Sequence, residues 1–328
     1  QSLNAKVDAL VGEKDAEGNY TVTKKEWDRS GIQKAYQEII VGNMLDNLIV
    51  AGYQGPTIYG QPKENFIEDI KYRRNGLADM IIKFNPEKKI INNNIKKAFP
   101  DYNSEELNKI KSSMWNNYGR VFAEYLYMKN FRNGNLSKNI SIEGEDVLLN
   151  IKDQNQKVVF ISGHFSNFEL MAMQIDKIGI KIGAIYRPLN NIFLNKFMER
   201  IRKKYICNNQ IKKGIGGLKE LIKLNNQGFS TALMIDQRVS QGIKSNFFNE
   251  KAFTTTIPAQ LIKKFNMPVV PIFIERYEGI KFRMRVHKPI HFSNEDTIEN
   301  ITNELNKNLE KMILANPNNW IWSHNRWK

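Results

Sequence analysis

The sequence predicts an α/β protein: a mostly parallel central sheet flanked by helices, preceded by a helical N-terminal region. Two observations carry that prediction. From about Asn150 onward, short apolar β-branched runs alternate with amphipathic stretches, the rhythm of β-α-β units. The chain also has 328 residues, 41% of them hydrophobic, enough to bury a large core.

Taken in order, residues 1–76 give a helix-like stretch near 24–52 and then the turn-rich GYQGPTIYGQPKEN. No chemistry is assigned there, and a boundary is drawn so that 77–328 form the main domain. Residues 87–98 read as a basic helix that ends at Pro100. Asn103 or Ser104 then caps a helix, and Glu106 stands three residues after Asn103 in the manner of a capping box. Beyond that, KVVFIS (157–162) is a strand, FELMAMQIDKIG a helix closed by glycine, and KIGAIYRP (181–188) a strand. LNKFMERIRKKY and the glycine-opened GIGGLKELIKLNNQG are helices. STALMIDQR (230–238) is a strand, IPAQLIKKFN (257–266) a helix and MPVVPIFIERY (267–277) a strand. KFRMRVHKPIHF (281–292) alternates as an antiparallel partner would, and a final amphipathic helix follows.

Composition narrows the functions. The formal charge is +15, and residues 1–76 are close to neutral, so the excess of Lys and Arg follows Gly76. Such a surface attracts nucleic acid, anionic lipid or an acidic carrier protein. No helix-turn-helix, zinc-finger or RNP-like signature supports nucleic acid, which is not expected as a partner. Cys207 is the sole cysteine, and the four histidines have no metal-ligand spacing, so neither a disulfide nor a metal centre is expected. The best candidate for a membrane span, residues 39–52, is short and broken by Asn43, Asp46 and Asn47. Attachment to a membrane is therefore expected to be peripheral.

Ligands of open α/β sheets gather at the carboxyl ends of strands. There the sequence places Gly163-His164 with Glu169, then Arg187, then Asp236-Gln237-Arg238. A five-residue interval sets two side chains about 140° apart on one helix and on opposite faces of one strand. His164 and Glu169 meet only across a turn, with Ser166 or Asn167 as the N-cap of the next helix. A carboxylate on one imidazole N–H would leave the other nitrogen as a general base. Each residue also has a bland reading: a structural histidine, a helix-start charge at Glu169, solvated arginines at 187, 200 and 202, and a turn at Asp236. Ser166 lacks the surroundings of a nucleophile elbow.

The ordered set GHFSNFE (163–169), YRPLNN (186–191), RIRKKY (200–205), IDQR (235–238), FFNEKAFTTT (247–256) and PNNWIWSHNRWK (317–328) resembles the lipid A biosynthesis acyltransferases, the late lauroyl/myristoyl-type family of Gram-negative bacteria. The resemblance covers about 77–328. It implies a glycerol-phosphate-acyltransferase-like fold and transfer of a fatty acyl group from acyl carrier protein to a hydroxyl of a Kdo-bearing lipid A precursor. It further implies that His164 is the general base and Glu169 its orienting partner, with direct attack on the thioester and no cofactor or metal. Arg202 matches the family's functional arginine, with Arg200 as the neighbouring alternative, and Asp236 its functional aspartate. Arg187, Arg200, Arg202 and Asp236 are thus substrate-binding or supporting candidates. The partners implied are acyl carrier protein and an anionic glycolipid at the cytoplasmic face of the inner membrane; a phosphatidylinositol mannoside is an alternative acceptor. Substitution of His164 or Glu169 by Ala is expected to leave folding intact. NFFNEKAF (246–253) reads as a mobile lip or as core. Residues 1–76 lack the hydrophobic anchor usual in the family.

Overall fold

The computed structural model of the chain describes residues 88–189 and 192–328, which fall within a compact unit, Glu87–Lys328. The expectations for residues 1–76 lie outside the described residues.

The described chain opens with α1 (Lys88–Ala98) and α2 (Ser104–Glu124). Asn103 caps α2 by accepting the Glu105 and Glu106 N–H groups at 2.9 and 3.0 Å, while Glu106 accepts the Asn103 N–H at 2.7 Å. The expected capping box is thus present, a contribution of about 1 kcal/mol. α2 buries Leu107, Ile110, Met114 and Val121 on one face. A 3₁₀ turn at Tyr125–Tyr127 leads into α3 (Met128–Asn133).

The strands among the described residues are β1 (Ile140–Glu143), β2 (Val159–Ser162), β3 (Ile182–Tyr186), β4 (Asn209–Lys212), β5 (Ser230–Met234), β6 (Ile243–Phe247), β7 (Glu250–Thr254), β8 (Val269–Glu278) and β9 (Lys281–Val286). Helices fill the intervals: α4 (Glu145–Asp153), α5 (Glu169–Ile178), α6 (Ile192–Ile201), α7 (Ile215–Asn226), α8 (Ile257–Phe265) and α9 (Ile298–Ala315). Seven strands form one sheet in the order β1-β9-β8-β2-β5-β3-β4. Only the β8–β9 pairing is antiparallel, so the fold is α/β with a mostly parallel sheet flanked by helices. β2 lies at the centre, and Val159, Phe160 and Ile161 are at most 1% exposed. Cover on both faces is why its sequence is a continuous apolar run.

Two features put the site together. β2 and β5 are parallel neighbours with Ser162 opposite Met234, so the residues two further on, His164 and Asp236, leave the sheet at matching heights. Gly179 closes α5 in the left-handed region at φ +99°, as the glycine in the sequence predicts.

Other expectations are corrected. The N-cap of α5 is Phe168, not Ser166 or Asn167, and no side chain caps the helix. Both expected caps are drawn elsewhere: Ser166 Oγ accepts the Arg276 N–H at 2.9 Å, and Asn167 donates to Glu124 at 2.8 Å. The strand expected through residue 238 stops at Met234. The hairpin β6–β7 was not foreseen. Its two-residue turn holds both Phe248 and Asn249 at positive φ, +49° and +59°, the geometry that matches strand twist but is usually supplied by Asn-Gly. Phe247 is fully buried against Trp320 and Trp327, so the aromatic side chains of this segment pack as core. No helix among the described residues is long and apolar enough to cross a membrane.

Candidate active site

Asp236 grips His164 twice. Its Oδ2 accepts the backbone N–H of His164 at 2.8 Å, and its Oδ1 lies 2.8 Å from Nδ1. Trp320 donates its indole N–H to Oδ2 at 2.9 Å. An ionised carboxylate only accepts, so Nδ1 carries the proton and Nε2 is left as the basic nitrogen. Gly163 is required by this close packing: a Cβ there would stand 2.9 Å from the Phe165 ring and 3.3 Å from Asp236 Oδ2.

Electrostatics follow from burial and pairing. Burial alone pushes the His164 pKa down, but the charge and hydrogen bond of Asp236, then the charge of Glu169, hold it above its ordinary value. Burial likewise raises the Asp236 carboxyl, and it is outweighed by His164 and the Trp320 indole, which hold it at about 2. The base is therefore strengthened while its partner stays ionised.

Glu169 occupies the first turn of α5 and is 7% exposed. Its Oε1 accepts Arg202 Nε at 2.8 Å and Nη2 at 2.5 Å, and it also accepts the Tyr125 hydroxyl. Arg202 Nη2 donates to the Tyr125 oxygen at 2.9 Å as well. Burial would lower the Arg202 pKa, yet Glu169 and Tyr125 raise it, so this cation is permanent. Burial, then Glu169, lifts the Tyr125 hydroxyl far above its usual range, and it stays a neutral donor. Arg202 Nη1 is buried without a hydrogen-bond partner, a donor held ready beside the cleft. The arginine opens the π turn at Arg202–Ile206 that follows α6, a departure from α geometry that is frequent at functional sites. From α3, Arg132 secures the turn by donating to the Tyr205 and Ile206 carbonyls at 3.2 and 3.0 Å.

The turn between the two motif residues is braced from outside. Ser166 sits at φ +43°, a costly conformation for a residue with a side chain. Its N–H donates to the Asn319 carbonyl at 2.9 Å while its hydroxyl takes the Arg276 N–H. Arg276 in turn forms a buried two-pronged pair with Glu124 at 2.5 and 3.0 Å.

His164, Glu169 and Arg202 line a cleft of about 690 Å³ together with Phe160, Met171, Ala184, Met198, Leu233 and Ile272. That size and apolar lining suit a ligand with a hydrocarbon part. His324 also lines it, its Nε2 accepting the Arg238 N–H at 2.9 Å.

Of the residues singled out in the sequence, His164, Glu169, Arg202 and Asp236 come together, and Arg187 lines the cleft from an exposed position. Arg200 is exposed and does not line it. The pairing differs from the expectation. The carboxylate on the imidazole is Asp236, because adjacent parallel strands bring their ends side by side; Glu169 holds Arg202 and acts on His164 through its charge. Tyr125 and Trp320 were missed as site residues. Tyr125 resembled any aromatic of an apolar helix face, whereas Trp320 stood within a quoted motif.

Comparison with known proteins identifies the family of the chain. The chain is similar to lipid A biosynthesis acyltransferase 2 of Shigella flexneri, 21% identical over 190 residues, 56% of this chain and 60% of that protein. It is 22% identical over 245 residues to the lipid A biosynthesis palmitoleoyltransferase of Escherichia coli (strain K12), covering 73% of this chain and 78% of the relative. With the myristoyltransferase of the same pathway and organism the identity is 21% over 235 residues, 70% and 71% of the two chains. The family description "Bacterial lipid A biosynthesis acyltransferase" matches residues 70–328. The chain belongs to the bacterial lipid A biosynthesis acyltransferase family.

Proposed function

We propose that this protein transfers a fatty acyl group from acyl carrier protein to a hydroxyl of a Kdo-bearing lipid A precursor, with His164 as general base. The observation that carries this reading is the Asp236–His164 pair, which leaves Nε2 basic on a side chain that lines the apolar cleft. Nε2 takes the proton of the acceptor hydroxyl as its oxygen attacks the thioester carbonyl carbon. The new C–O bond produces a tetrahedral oxyanion, and Arg202 Nη1 is the unused donor that would receive it. Collapse breaks the C–S bond, and the departing sulfur takes the proton back from the imidazolium. No acyl-enzyme forms. Glu169 keeps Arg202 in place and contributes negative charge near the imidazolium.

The lipid A names of the relatives support the acceptor, and the +15 charge supports an acidic carrier and an anionic surface at the cytoplasmic face of the inner membrane. The test is an in vitro assay with defined acyl carrier proteins and a Kdo-containing lipid A precursor, read by mass spectrometry. Wild type should add one acyl chain and His164→Ala should not. Transfer undiminished in His164→Ala rejects the mechanism; product only on a different glycolipid, such as a phosphatidylinositol mannoside, rejects the acceptor.

A further inference from the structure

Arg187 and Lys213 stand side by side at the edge of the cleft, with no carboxylate paired to either among the described residues. β3 and β4 are parallel neighbours with Tyr186 opposite Lys212, and the Lys213 N–H donates to the Tyr186 carbonyl at 2.8 Å. The residue after each strand, Arg187 and Lys213, therefore leaves the sheet at the same height on adjacent strands. Both line the cleft, and both are exposed. Nearby cations are neutralised: Arg202 by Glu169, and Lys212 by Glu199 at 3.5 Å. Among the described residues no carboxylate engages Arg187 or Lys213.

Two like charges held together oppose folding by their repulsion. Its effect is visible at Lys213, whose pKa is lowered by partial burial and then by Arg187. A ligand that supplies the missing negative charge relieves it. A carboxylate has two oxygens and a single charge, whereas a phosphate ester presents several oxygens to an arginine fork and an ammonium at once.

We propose that Arg187 and Lys213 form a phosphate-binding clamp at the opening of the cleft, which recognises a phosphate ester on a substrate whose acyl or acceptor group lies at His164. The clamp rests on the acyl-transfer reading for its choice of ligands. Both substrates of that reaction carry phosphate: the phosphodiester of the carrier's phosphopantetheine arm and the sugar phosphate of a lipid A precursor. One clamp chemistry serves either.

The experiment is equilibrium binding by isothermal titration calorimetry to the full chain, with two ligand pairs. One is 4′-phosphopantetheine against pantetheine; the other is a phosphorylated glucosamine disaccharide against the same disaccharide without phosphate. In one pair the phosphorylated member should bind wild type more tightly, by about tenfold per charge-assisted contact. Arg187→Ala/Lys213→Ala should erase that advantage, each single substitution should reduce it, and Arg187→Lys/Lys213→Arg should retain most of it. Raising the salt should shrink it. The pair that responds identifies the source of the phosphate. The clamp is overturned if neither phosphorylated ligand gains over its partner in wild type, or if the gain survives in the double and both single alanine variants. Binding is read without turnover, so a protein that keeps the phosphate advantage but transfers no acyl group would reject the reaction and keep the clamp.

Discussion

Asp236→Asn keeps the shape of the side chain and removes one accepting oxygen, which makes it the sharpest probe of the site. Oδ2 serves two donors, the His164 N–H and the Trp320 indole, while Oδ1 faces Nδ1. An asparagine has one oxygen for these two places. Keeping it on the two donors turns its NH₂ toward Nδ1, which must then accept, and the proton moves to Nε2. The base is lost with its tautomer, and acyl transfer should fall by roughly 10³–10⁴-fold. Residual activity should lose its acid limb at lower pH than wild type, because the largest remaining effect on His164 is burial, which lowers its pKa and outweighs the raising charge of Glu169.

Stability supplies a second measure. The Asp236 carboxyl sits at about 2 against an ordinary 3.8, a difference worth about 2 kcal/mol. Its folded pKa is the lower one, so this contribution is complete above 3.8 and is lost as pH falls through about 2. His164 has the opposite sign: its folded pKa lies above 6.5, so its contribution is complete below 6.5 and fades as pH rises through the folded value. The gap between wild type and Asp236→Asn in urea unfolding should therefore be widest between 3.8 and 6.5 and narrow on the alkaline side. Activity within tenfold of wild type, or a stability gap that ignores pH, would refute the reasoning.

Other substitutions separate chemistry from scaffold. Glu169→Ala leaves the buried Arg202 without its carboxylate, so it should cost about 3–5 kcal/mol of stability in chemical denaturation; this reverses the expectation that folding is unaffected. His164→Ala takes from the buried Asp236 a partner that is charged only when protonated, and Asp236 keeps the Trp320 indole; calorimetry at alkaline pH should find its melting temperature closer to wild type than that of Glu169→Ala. Tyr125→Phe deletes the hydroxyl shared by Glu169 and Arg202; it should cost about 1–2 kcal/mol and lower kcat more than it raises KM in steady-state assays. Trp320→Phe removes one donor from Asp236, which should raise its pKa, detectable by NMR titration of that carboxyl, and should lower activity less than Asp236→Asn does.

The alternation of strand and helix was legible because each element carries its own pattern: the buried run at β2, the glycine after α5, the capping box before α2. His164, Glu169 and Asp236 were legible from the strand ends they follow, whereas Arg202, on a helix that reads as a solvated face, was legible only through the family resemblance. Their pairing was not. His164 and Glu169 are close in sequence, which favours joining them, whereas Asp236 is 72 residues away and becomes the partner only through β5 lying beside β2. Strand order is a property of the assembled sheet, absent from any local window. The turn of the β6–β7 hairpin was hidden for a different reason: Phe248-Asn249 reaches positive φ without glycine, held by Glu310, which accepts the Phe248 N–H at 2.8 Å, and by aromatic packing.

The segment after α9 has a consequence for the order in which activity arises. Asn319 receives the Ser166 N–H, Trp320 fastens Asp236, and Arg326 donates to the Phe253 carbonyl and the Thr254 hydroxyl at 2.6 and 2.7 Å. Asn94, in the first helix described, donates to the Trp322 and His324 carbonyls, each at 2.8 Å. During synthesis the sheet and both motif residues emerge well before these anchors. A nascent chain can therefore own its base and its carboxylates and still lack the pins that align them. Release from the ribosome before residue 319 should yield a protein that holds its base and carboxylates and is catalytically silent.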